Sequence, residues 1–314
     1  MHLARLGHSV RLWARDAALA SQIEDRRANP AYLPDVNFPA NIHVTGDLAA
    51  ALRGTDLIVT ALPSHGARDI LRRVAPHVGA DAIVVSATKG LERDTLFRAS
   101  EIIDQELNTV RVAVLSGPSF ASEVARELPT AVCIASGDSR VVEAVQADFK
   151  SSYLRLYGTD DVIGVEIGGA LKNVIAIAAG VVEGLGLGHN ALAGLITRGL
   201  AEMSRLACAA GAKRETLAGL SGLGDLVLTC NGSLSRNRHV GIELASGRPL
   251  RDVLGGMKMV AEGVRTTEAA LALASRYGVE LPIAAQVGEL LAGRKDARAA
   301  LGELMLRPQR SEIG

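Results

Sequence analysis

The feature that most constrains the fold is a change of pattern midway along the 314-residue chain. Up to about residue 158, short runs rich in β-branched residues alternate with stretches whose apolar residues recur at helical spacing. Such alternation is typical of a parallel sheet with crossover helices. Beyond that point the strand patterns fade and long helical patterns follow. We therefore predict a doubly wound α/β domain of the Rossmann type over residues 1–158 and an all-α domain over residues 159–314.

The individual elements follow from the same patterns. Strands are predicted at residues 9–13, 56–61, 82–87, 112–116, 130–135 and 153–157. Helices of the first domain are predicted at residues 17–28, 47–53, 65–74 and 95–107. Helices of the second domain are predicted at residues 162–182, 190–210, 266–276 and 284–291.

The chain opens in the middle of this pattern. Residues 1–13 indicate the end of a helix, a stop at Gly7 and then a strand. In a dinucleotide-binding fold this is the end of the first helix leading into the second strand. The first strand and its G-x-G-x-x-G turn, which holds the cofactor pyrophosphate, would then lie upstream of Met1. We therefore expect the chain as written to be truncated, or its start misassigned, with the first strand of the sheet missing.

Composition argues against several classes of function. Acidic and basic residues balance at 34 each and aromatic residues make up 3%, so nucleic acid is not an expected partner. The richest apolar stretch, residues 168–182, contains Lys172 and Asn173 and is shorter than the roughly 20 residues that span a bilayer. The first turns of the chain carry His2 and Arg5 and lack the apolar core of a signal peptide. We expect a cytoplasmic protein with no membrane span.

Metal and covalent hydrolytic chemistry find no support in the sequence. Cys133, Cys208 and Cys230 are far apart and lie in apolar runs, which favours reduced core residues. The seven histidines lack the i, i+4 spacing of a helical zinc motif, and no G-x-S-x-G nucleophile elbow occurs. The alternating glycines of residues 184–188 follow a helix and not a strand, so they do not predict a nucleotide loop. No metal site is predicted.

Candidate ligand-binding residues follow the predicted strands, at the edge where open α/β sheets bind ligands. Lys89 lies just beyond one strand and could reach a phosphate or a carbonyl oxygen, or could simply decorate a loop. The small residues from Gly117 to Ala121 would let backbone amides approach a cofactor, or form an ordinary turn. Arg15 could pair with a 2′-phosphate while Asp16 caps the next helix. This favours NADP(H) over NAD(H), although Arg15 on its own is better explained as a solvated surface charge.

The second domain carries polar residues in apolar surroundings. Lys172 lies in an otherwise apolar helical stretch, where partial desolvation suits a proton donor and acceptor near neutral pH. The alternative is a lysine whose stem only covers apolar surface. Asp225 starts a predicted helix, which it could cap, and Thr229 follows on the same face. Residues 235–238 combine a hydroxyl, an amide and two guanidinium groups, a mixture suited to binding a phosphate monoester.

Seven short motifs occur together along the chain. They are Pro63-Ser64-His65, Ala87-Thr88-Lys89-Gly90-Leu91-Glu92, Ser116-Gly117-Pro118-Ser119-Phe120-Ala121, Leu171-Lys172-Asn173-Val174-Ile175-Ala176, Thr197-Arg198-Gly199-Leu200-Ala201-Glu202-Met203, residues 222–229, and Ser235-Arg236-Asn237-Arg238. In this order and spacing they resemble the bacterial NAD(P)-dependent glycerol-3-phosphate dehydrogenases, and the likeness extends over nearly the whole chain. The departure is at the start, where the first strand and glycine loop of that family have no counterpart.

This resemblance implies reversible reduction of dihydroxyacetone phosphate, a small phosphate ester, to sn-glycerol 3-phosphate with NADPH or NADH, which supplies glycerophospholipid synthesis. It implies that Lys172 is the catalytic lysine, that Asp225 is catalytic in the same cluster, and that Asn173 and Thr229 support them. The substrate-binding residues that it implies are Lys89, Gly117, Ser119, Lys172, Asp225, Ser235, Arg236 and Asn237. The cofactor-binding residues that it implies are Arg15, Lys89, Ala121, Arg236, Val260 and Glu262.

Two other interpretations stay open at this point. A chain without the glycine loop could be a non-catalytic remnant that keeps the helical domain and cannot bind cofactor. A two-domain dehydrogenase acting on a hydroxyacid would need a carboxylate clamp and would give residues 235–237 no role. The sequence also leaves open whether the chain forms a homodimer.

Overall fold

The structure is a computed structural model, and it describes residues 1–108, 110–257, 261–309 and 311. The strands in these residues are β1 (Val10–Trp13), β2 (Ala28–Asn29), β3 (Leu33–Asn37), β4 (Ile42–Thr45), β5 (Leu57–Thr60), β6 (Ile83–Ser86), β7 (Arg111–Ser116), β8 (Thr130–Ala135) and β9 (Leu154–Thr159). The helices are α1 (His2–Arg5), α2 (Ala17–Arg26), α3 (Leu48–Leu52), α4 (Ala67–Val74), α5 (Ala99–Leu107), α6 (Ala121–Ala125), α7 (Ser139–Phe149), α8 (Val162–Gly184), α9 (Gly188–Ala209), α10 (Arg214–Ala218), α11 (Asp225–Asn231), α12 (Arg236–Ala245), α13 (Leu250–Gly255), α14 (Glu262–Tyr277), α15 (Pro282–Leu291) and α16 (Ala297–Met305).

The predicted α/β architecture followed by helices is confirmed. The main sheet has the order β5-β6-β7-β8-β9, and β1 pairs with β4 in a separate parallel pair. Helices α4, α5 and α7 pack on the main sheet through apolar clusters that include Leu71, Ile102 and Val145. The strand predicted at residues 130–135 is observed with those bounds, and the other five predicted strands lie within one or two residues of the observed ones.

The sheet is not parallel throughout, which corrects the prediction. Strands β5, β6 and β7 run parallel, as do β8 and β9, but β7 and β8 pair antiparallel. The connection between β7 and β8 contains only α6, a helix of five residues. The parallel neighbours are joined through longer helices, α4 of eight residues, α5 of nine and α7 of 11. The connection with the short α6 does not form a parallel crossover.

The opening of the chain folds locally as predicted. A short helix, α1, ends before Gly7, whose φ of 95° suits a glycine at a helix stop, and β1 follows. Within the described residues β1 pairs with β4 alone, and β5 is an edge of the main sheet. The expectation of a further strand and glycine turn upstream of Met1 stays a prediction.

Helix α8 is the centre of the helical half. It spans 23 residues, longer than the predicted stretch, and is long and apolar enough to cross a membrane by length and composition. However, 83% of its apolar window is buried inside the protein, which is typical of a core helix. Helices α9, α14 and α15 surround it in one apolar cluster. α8 ends at Gly184 and α9 begins at Gly188, so these glycines follow a helix and not a strand, as predicted, and Gly186 lies in the turn between the two helices.

Glycines let α12 pack closely against α8. A Cβ at Gly180 would lie far inside contact distance of the backbone oxygen of Arg238, and one at Gly241 would meet the backbone oxygen of Ile177 in the same way. Because no side chain separates the two backbones, the start of α12 is held beside the middle of α8. Residues from both helices meet at this point in the candidate site.

The cysteines follow the prediction in two cases of three. Cys133 and Cys230 are buried, and burial raises the pKa of the Cys230 thiol to about 12. Cys208, expected in the core, is exposed near the end of α9. Its neighbours Leu206 and Ala207 face the core, so the apolar run around Cys208 belongs to the adjacent face of the helix.

Candidate active site

The centre of the candidate site is the side chain of Lys172, in the middle of α8. This side chain is 9% exposed, and its ammonium donates to the carboxylate of Asp225 and, at 2.9 Å, to Thr229 Oγ1. Thr229 in turn donates to the backbone oxygen of Asp225 at 2.6 Å. Among the described residues, these contacts occupy two of the three N–H donors of the ammonium, so that the third can serve a substrate oxygen. The lysine head is therefore inside the protein, which excludes the alternative of a stem that merely covers apolar surface.

Asp225 joins Lys172 to a second cation. Lys89 follows β6, and its ammonium donates to Asp225 Oδ2 at 2.5 Å and to the backbone oxygen of Gly117 at 3.2 Å. The Asp225 side chain is only 1% exposed. One buried carboxylate is thus shared by two lysines, one from each half of the chain.

This environment changes the proton affinity of Lys172. Its pKa is lowered to about 7, mainly because burial disfavours the charged form, and the nearby charge of Lys89 lowers it further. The carboxylate of Asp225 opposes the shift. A side chain whose pKa lies near neutral pH can both donate and accept a proton under ordinary conditions.

The turn before α11 brings Asp225 to the lysines. Leu220–Gly224 form a π-helical turn, a feature frequent at functional sites. A Cβ at Gly222 in this turn would clash with the backbone oxygen of Leu217. α11 then begins at Asp225 itself, and the residue before it makes no side-chain cap. The interpretation of Asp225 as a helix cap is therefore wrong, because its carboxylate binds both lysines.

The start of α12 faces the same region. Ser235 caps the helix, accepting from Arg238 N at 3.2 Å. Asn237 is buried, donates to Asn173 Oδ1 at 2.9 Å and accepts from Gly263 N at 2.9 Å. Because Asn173 follows Lys172 and Asn237 follows Arg236, this hydrogen bond sets the exposed Arg236 beside the helix of the central lysine.

Arg238 does not join that group. Its guanidinium pairs with Glu183, close to the end of α8. Of the two guanidinium groups that the sequence places in residues 235–238, Arg236 is thus the one at the start of α12 and Arg238 belongs to the packing of α8 against α12.

The loop after β7 approaches the site through its backbone. Gly117 has a φ of 140°, and a Cβ there would lie 3.0 Å from Val132 Cα, so only glycine suits this position. The backbone oxygen of Gly117 accepts from Lys89 and from Ser119 Oγ at 3.1 Å. Ala121 begins α6. The structure thereby brings Gly117 and Ser119 to the central cluster.

The start of α14 contacts the loop after β5. Glu262 accepts from Ser64 Oγ at 2.9 Å, and its charge also acts on Arg236. Glu262 therefore lies between the strand-end loops of the sheet and the start of α12. Val260, the other cofactor-binding residue implied in this segment, lies outside the described residues.

Arg15 lies away from this cluster, at the end of β1. It is exposed and makes no hydrogen bond or ion pair within the described residues. Asp16 next to it caps α2, accepting from Ala18 N at 2.9 Å, as predicted. A cation at this strand end is suited to a phosphate group.

Sequence reasoning missed one charged residue near this site. Glu166 lies on α8 and is buried, with Arg98 and Ser100 as partners. The signal was available, because a glutamate in an apolar helix is as unusual as the lysine six residues later.

Comparisons with known proteins agree with this geometry. Models of the NAD-dependent glycerol-3-phosphate dehydrogenase N-terminus and C-terminus match residues 1–142 and 161–302. The chain is 49% identical to glycerol-3-phosphate dehydrogenase [NAD(P)+] of Koribacter versatilis, over 98% of this chain and 93% of that protein. It is 51% identical to the enzyme of the same name from Acidobacterium capsulatum, over 99% and 95%.

A solved structure gives the same result. The crystal structure of glycerol-3-phosphate dehydrogenase from Coxiella burnetii superposes with a TM-score of 0.94 at 40% identity, covering 98% of this chain and 94% of that one. Sequence and structure therefore agree along both halves. The chain belongs to the NAD-dependent glycerol-3-phosphate dehydrogenase family.

Proposed function

We propose that this chain catalyses the reversible reduction of dihydroxyacetone phosphate to sn-glycerol 3-phosphate with NAD(P)H. The observation that carries the proposal is the buried cluster in which Lys89 and Lys172 share Asp225, with Arg236 at the nearby start of α12. The name shared by the relatives, glycerol-3-phosphate dehydrogenase [NAD(P)+], supports it. The product is a precursor for glycerophospholipid synthesis.

In this reaction Lys172 is the proton donor and acceptor. Bound NAD(P)H supplies the hydride to the carbonyl carbon of the substrate. The remaining N–H of Lys172 donates to the carbonyl oxygen, so that the alkoxide is protonated as it forms. In the reverse direction the neutral amine takes the proton from the hydroxyl. Asp225 and Thr229 hold the ammonium in place for both directions.

The substrate phosphate is assigned to the start of α12. Arg236 supplies a guanidinium with a planar set of donors that matches phosphate oxygens. Ser235 fixes the helix start, and Asn237 keeps one N–H donor beyond its bond to Asn173. Lys89 lies between this end and the strand edge, where its charge favours an anionic substrate.

The cofactor side is assigned to the strand ends of the first half. We propose NADP(H) as the preferred form, because Arg15 is exposed at the end of β1 while Asp16 is engaged as a helix cap. Ala121, Lys89, Arg236 and Glu262 are proposed to line the rest of the cofactor. The boundary of the two domains is proposed at residues 158 and 159, because β9 ends at Thr159 and α8 begins at Val162.

The test is a steady-state assay of NADPH oxidation with dihydroxyacetone phosphate as substrate. Dihydroxyacetone phosphate should be reduced in preference to keto acids such as pyruvate, and Lys172→Ala should lower kcat by about 100- to 10,000-fold. Equal rates with a keto acid would favour the alternative of a dehydrogenase that acts on a hydroxyacid. No turnover by the folded chain, with no NADPH bound in a calorimetric titration, would favour the non-catalytic remnant.

We further propose that the enzyme acts in the cytoplasm and assembles as a homodimer. Burial of α8 within the protein and the balanced charge of the chain support an enzyme that acts away from membranes and nucleic acid. Cell fractionation tests the first proposal. Sedimentation of the full chain tests the second, with twice the chain mass as the expected result.

A further inference from the structure

A second buried charge lies on α8, at Glu166. Its side chain is only 3% exposed, and its two oxygens accept from Ser100 N at 2.8 Å, Ser100 Oγ at 2.6 Å and Arg98 Nη1 at 2.7 Å. Glu101 pairs with the other side of Arg98 at 3.2 Å. The start of α5, in the first half of the chain, therefore supplies hydrogen-bond donors to both oxygens of the Glu166 carboxylate.

Lys89 and the partners of Glu166 lie at opposite ends of one segment of the chain. This segment, residues 87–100, runs from the end of β6 to the first turn of α5. Near its start, Lys89 binds Asp225. Next to Lys89 and Gly90, Leu91 packs in the apolar cluster around α8. At its far end, Arg98 and Ser100 bind Glu166, so the segment is attached to the helical half at both ends.

Helix α8 connects these attachment points rigidly. Glu166 precedes Lys172 by six residues, about 9 Å along the helix axis. Between them, a Cβ added at Gly169 would lie 3.6 Å from Cγ of Lys89, so α8 and the lysine stem are in close contact. A shift or rotation of α8 against the segment would change the separation of Lys89 and Lys172.

We propose that Glu166 is a positioning residue that fixes α8 against segment 87–100 and thereby sets the separation of Lys89 and Lys172. This inference rests on the proposed function, because it assigns Glu166 a role in tuning the proton donor of that reaction. Glu166 itself does not contact the central cluster within the described residues.

The consequence is electrostatic. The charged or ionisable side chains that act on Lys172 are Lys89, from the segment, and Asp225, from α11; Cys230 also lies near. Two like charges repel, so an anchor that holds them close keeps the pKa of Lys172 low. If the anchor is weakened, the lysines separate and the pKa of Lys172 rises above its value of about 7. Reduction needs the protonated lysine, so activity then persists to higher pH.

The experiment compares Glu166→Gln with Glu202→Gln in the full chain. Glu202 is a matched control, since it is also buried and accepts from two backbone N–H groups, Ile283 N at 2.7 Å and Ala284 N at 3.3 Å. It lies on α9, outside the site. Burial raises the pKa of Glu202 to about 7, as burial also raises that of Glu166. Both variants thus lose a buried carboxylate, and only one lies in the proposed anchor.

The readout is the pH profile of kcat for dihydroxyacetone phosphate reduction. For Glu166→Gln we expect the fall of kcat at high pH to move upward by about 1 pH unit. We also expect kcat to drop about 10- to 100-fold, because Lys172 is misplaced. The Michaelis constant for NADPH should change less than about twofold. Glu202→Gln should keep the wild-type profile.

An unchanged profile in folded Glu166→Gln, whatever its stability, would overturn the inference. If that variant fails to fold, Ser100→Ala decides, because it removes one donor to Glu166 and should move the profile in the same direction by a smaller amount. An unmoved Ser100→Ala profile would equally overturn it. Failure of the proposed function is distinguishable, since the wild-type chain would then not reduce dihydroxyacetone phosphate at all.

Discussion

Replacing Asp225 with asparagine should lower the pKa of Lys172 and move the pH profile of reduction toward acid. Burial and the charge of Lys89 bring that pKa to about 7, and the carboxylate of Asp225 limits the fall. Asp225→Asn keeps the shape of the side chain and removes its charge. The two lysines would then face each other with no anion between them, so the ammonium form of Lys172 becomes less stable.

The size of the effect follows from the position of the charge. An opposite charge within about 4–6 Å shifts a pKa by about 1–3 units, and Asp225 contacts Lys172 directly. With a shift of about 2 units, the protonated fraction at pH 7 falls from about one half to about one hundredth, a loss of about 50-fold. A stronger acid transfers its proton more readily, which offsets part of this loss. We therefore expect activity at pH 7 to fall about 10- to 50-fold.

The assay is kcat/KM for dihydroxyacetone phosphate between pH 5 and 9, on wild type and Asp225→Asn. The substrate phosphate titrates in the same way with both enzymes. A difference between the two profiles therefore comes from an ionisable group of the enzyme. The midpoint of the fall should move from about 7 to about 5. Circular dichroism confirms that the variant is folded. A midpoint that stays in place or moves to higher pH would refute the electrostatic role assigned to Asp225.

Three further predictions concern the phosphate end, the cofactor end and the packing behind the site. In steady-state assays Arg236→Ala should raise the Michaelis constant for dihydroxyacetone phosphate about 30-fold, the equivalent of about 2 kcal/mol, and leave unphosphorylated dihydroxyacetone unaffected; equal losses would exclude a phosphate contact. Arg15→Ala should raise the Michaelis constant for NADPH about tenfold and hardly change that for NADH; parallel changes would argue against a 2′-phosphate contact. Gly180→Ala should lower the free energy of unfolding in urea by about 1–3 kcal/mol, because the added methyl meets the backbone oxygen of Arg238. Gly194→Ala is its control, since a Cβ there meets nothing within 4 Å; equal destabilisation of both variants would contradict the packing argument.

The fold was largely predictable because its strongest signals are local. The strand at Thr130–Ala135 has a β-branched apolar run bounded by turn residues, and α8 begins at Val162 as its pattern predicts. The strands from β2 to β4 were missed. β3 (Leu33–Asn37) contains proline, aspartate and asparagine, which strands disfavour, and His43 interrupts the β-branched residues of β4 (Ile42–Thr45).

The antiparallel pairing of β7 with β8 could not be predicted from the strands themselves. Both have the apolar, β-branched composition of buried strands, and both orientations bury them equally. What differs is the connection, because α6 has five residues whereas the helices that lead to a parallel neighbour, α4, α5 and α7, have eight, nine and 11. Strand composition alone therefore does not indicate the direction of pairing.

The candidate site was predictable by residue type and not by contact. Lys172 was identified because a lysine in an apolar helix must find a partner or reach solvent. Its partner, Asp225, is 53 residues away, and Lys89 is 136 residues from the same carboxylate. Nothing local to Asp225 distinguishes it from a helix cap, because the π-helical turn that presents it to the lysines is a product of tertiary packing.

Glu166 is a second buried charge whose partners the sequence does not indicate. Its composition signal equals that of Lys172, but its partners lie 66 and 68 residues away, in a segment that sequence alone gives no reason to bring to α8. A buried charge in an apolar helix therefore predicts that a partner exists, while only the fold decides whether that partner transfers a proton with it or holds the helix in place.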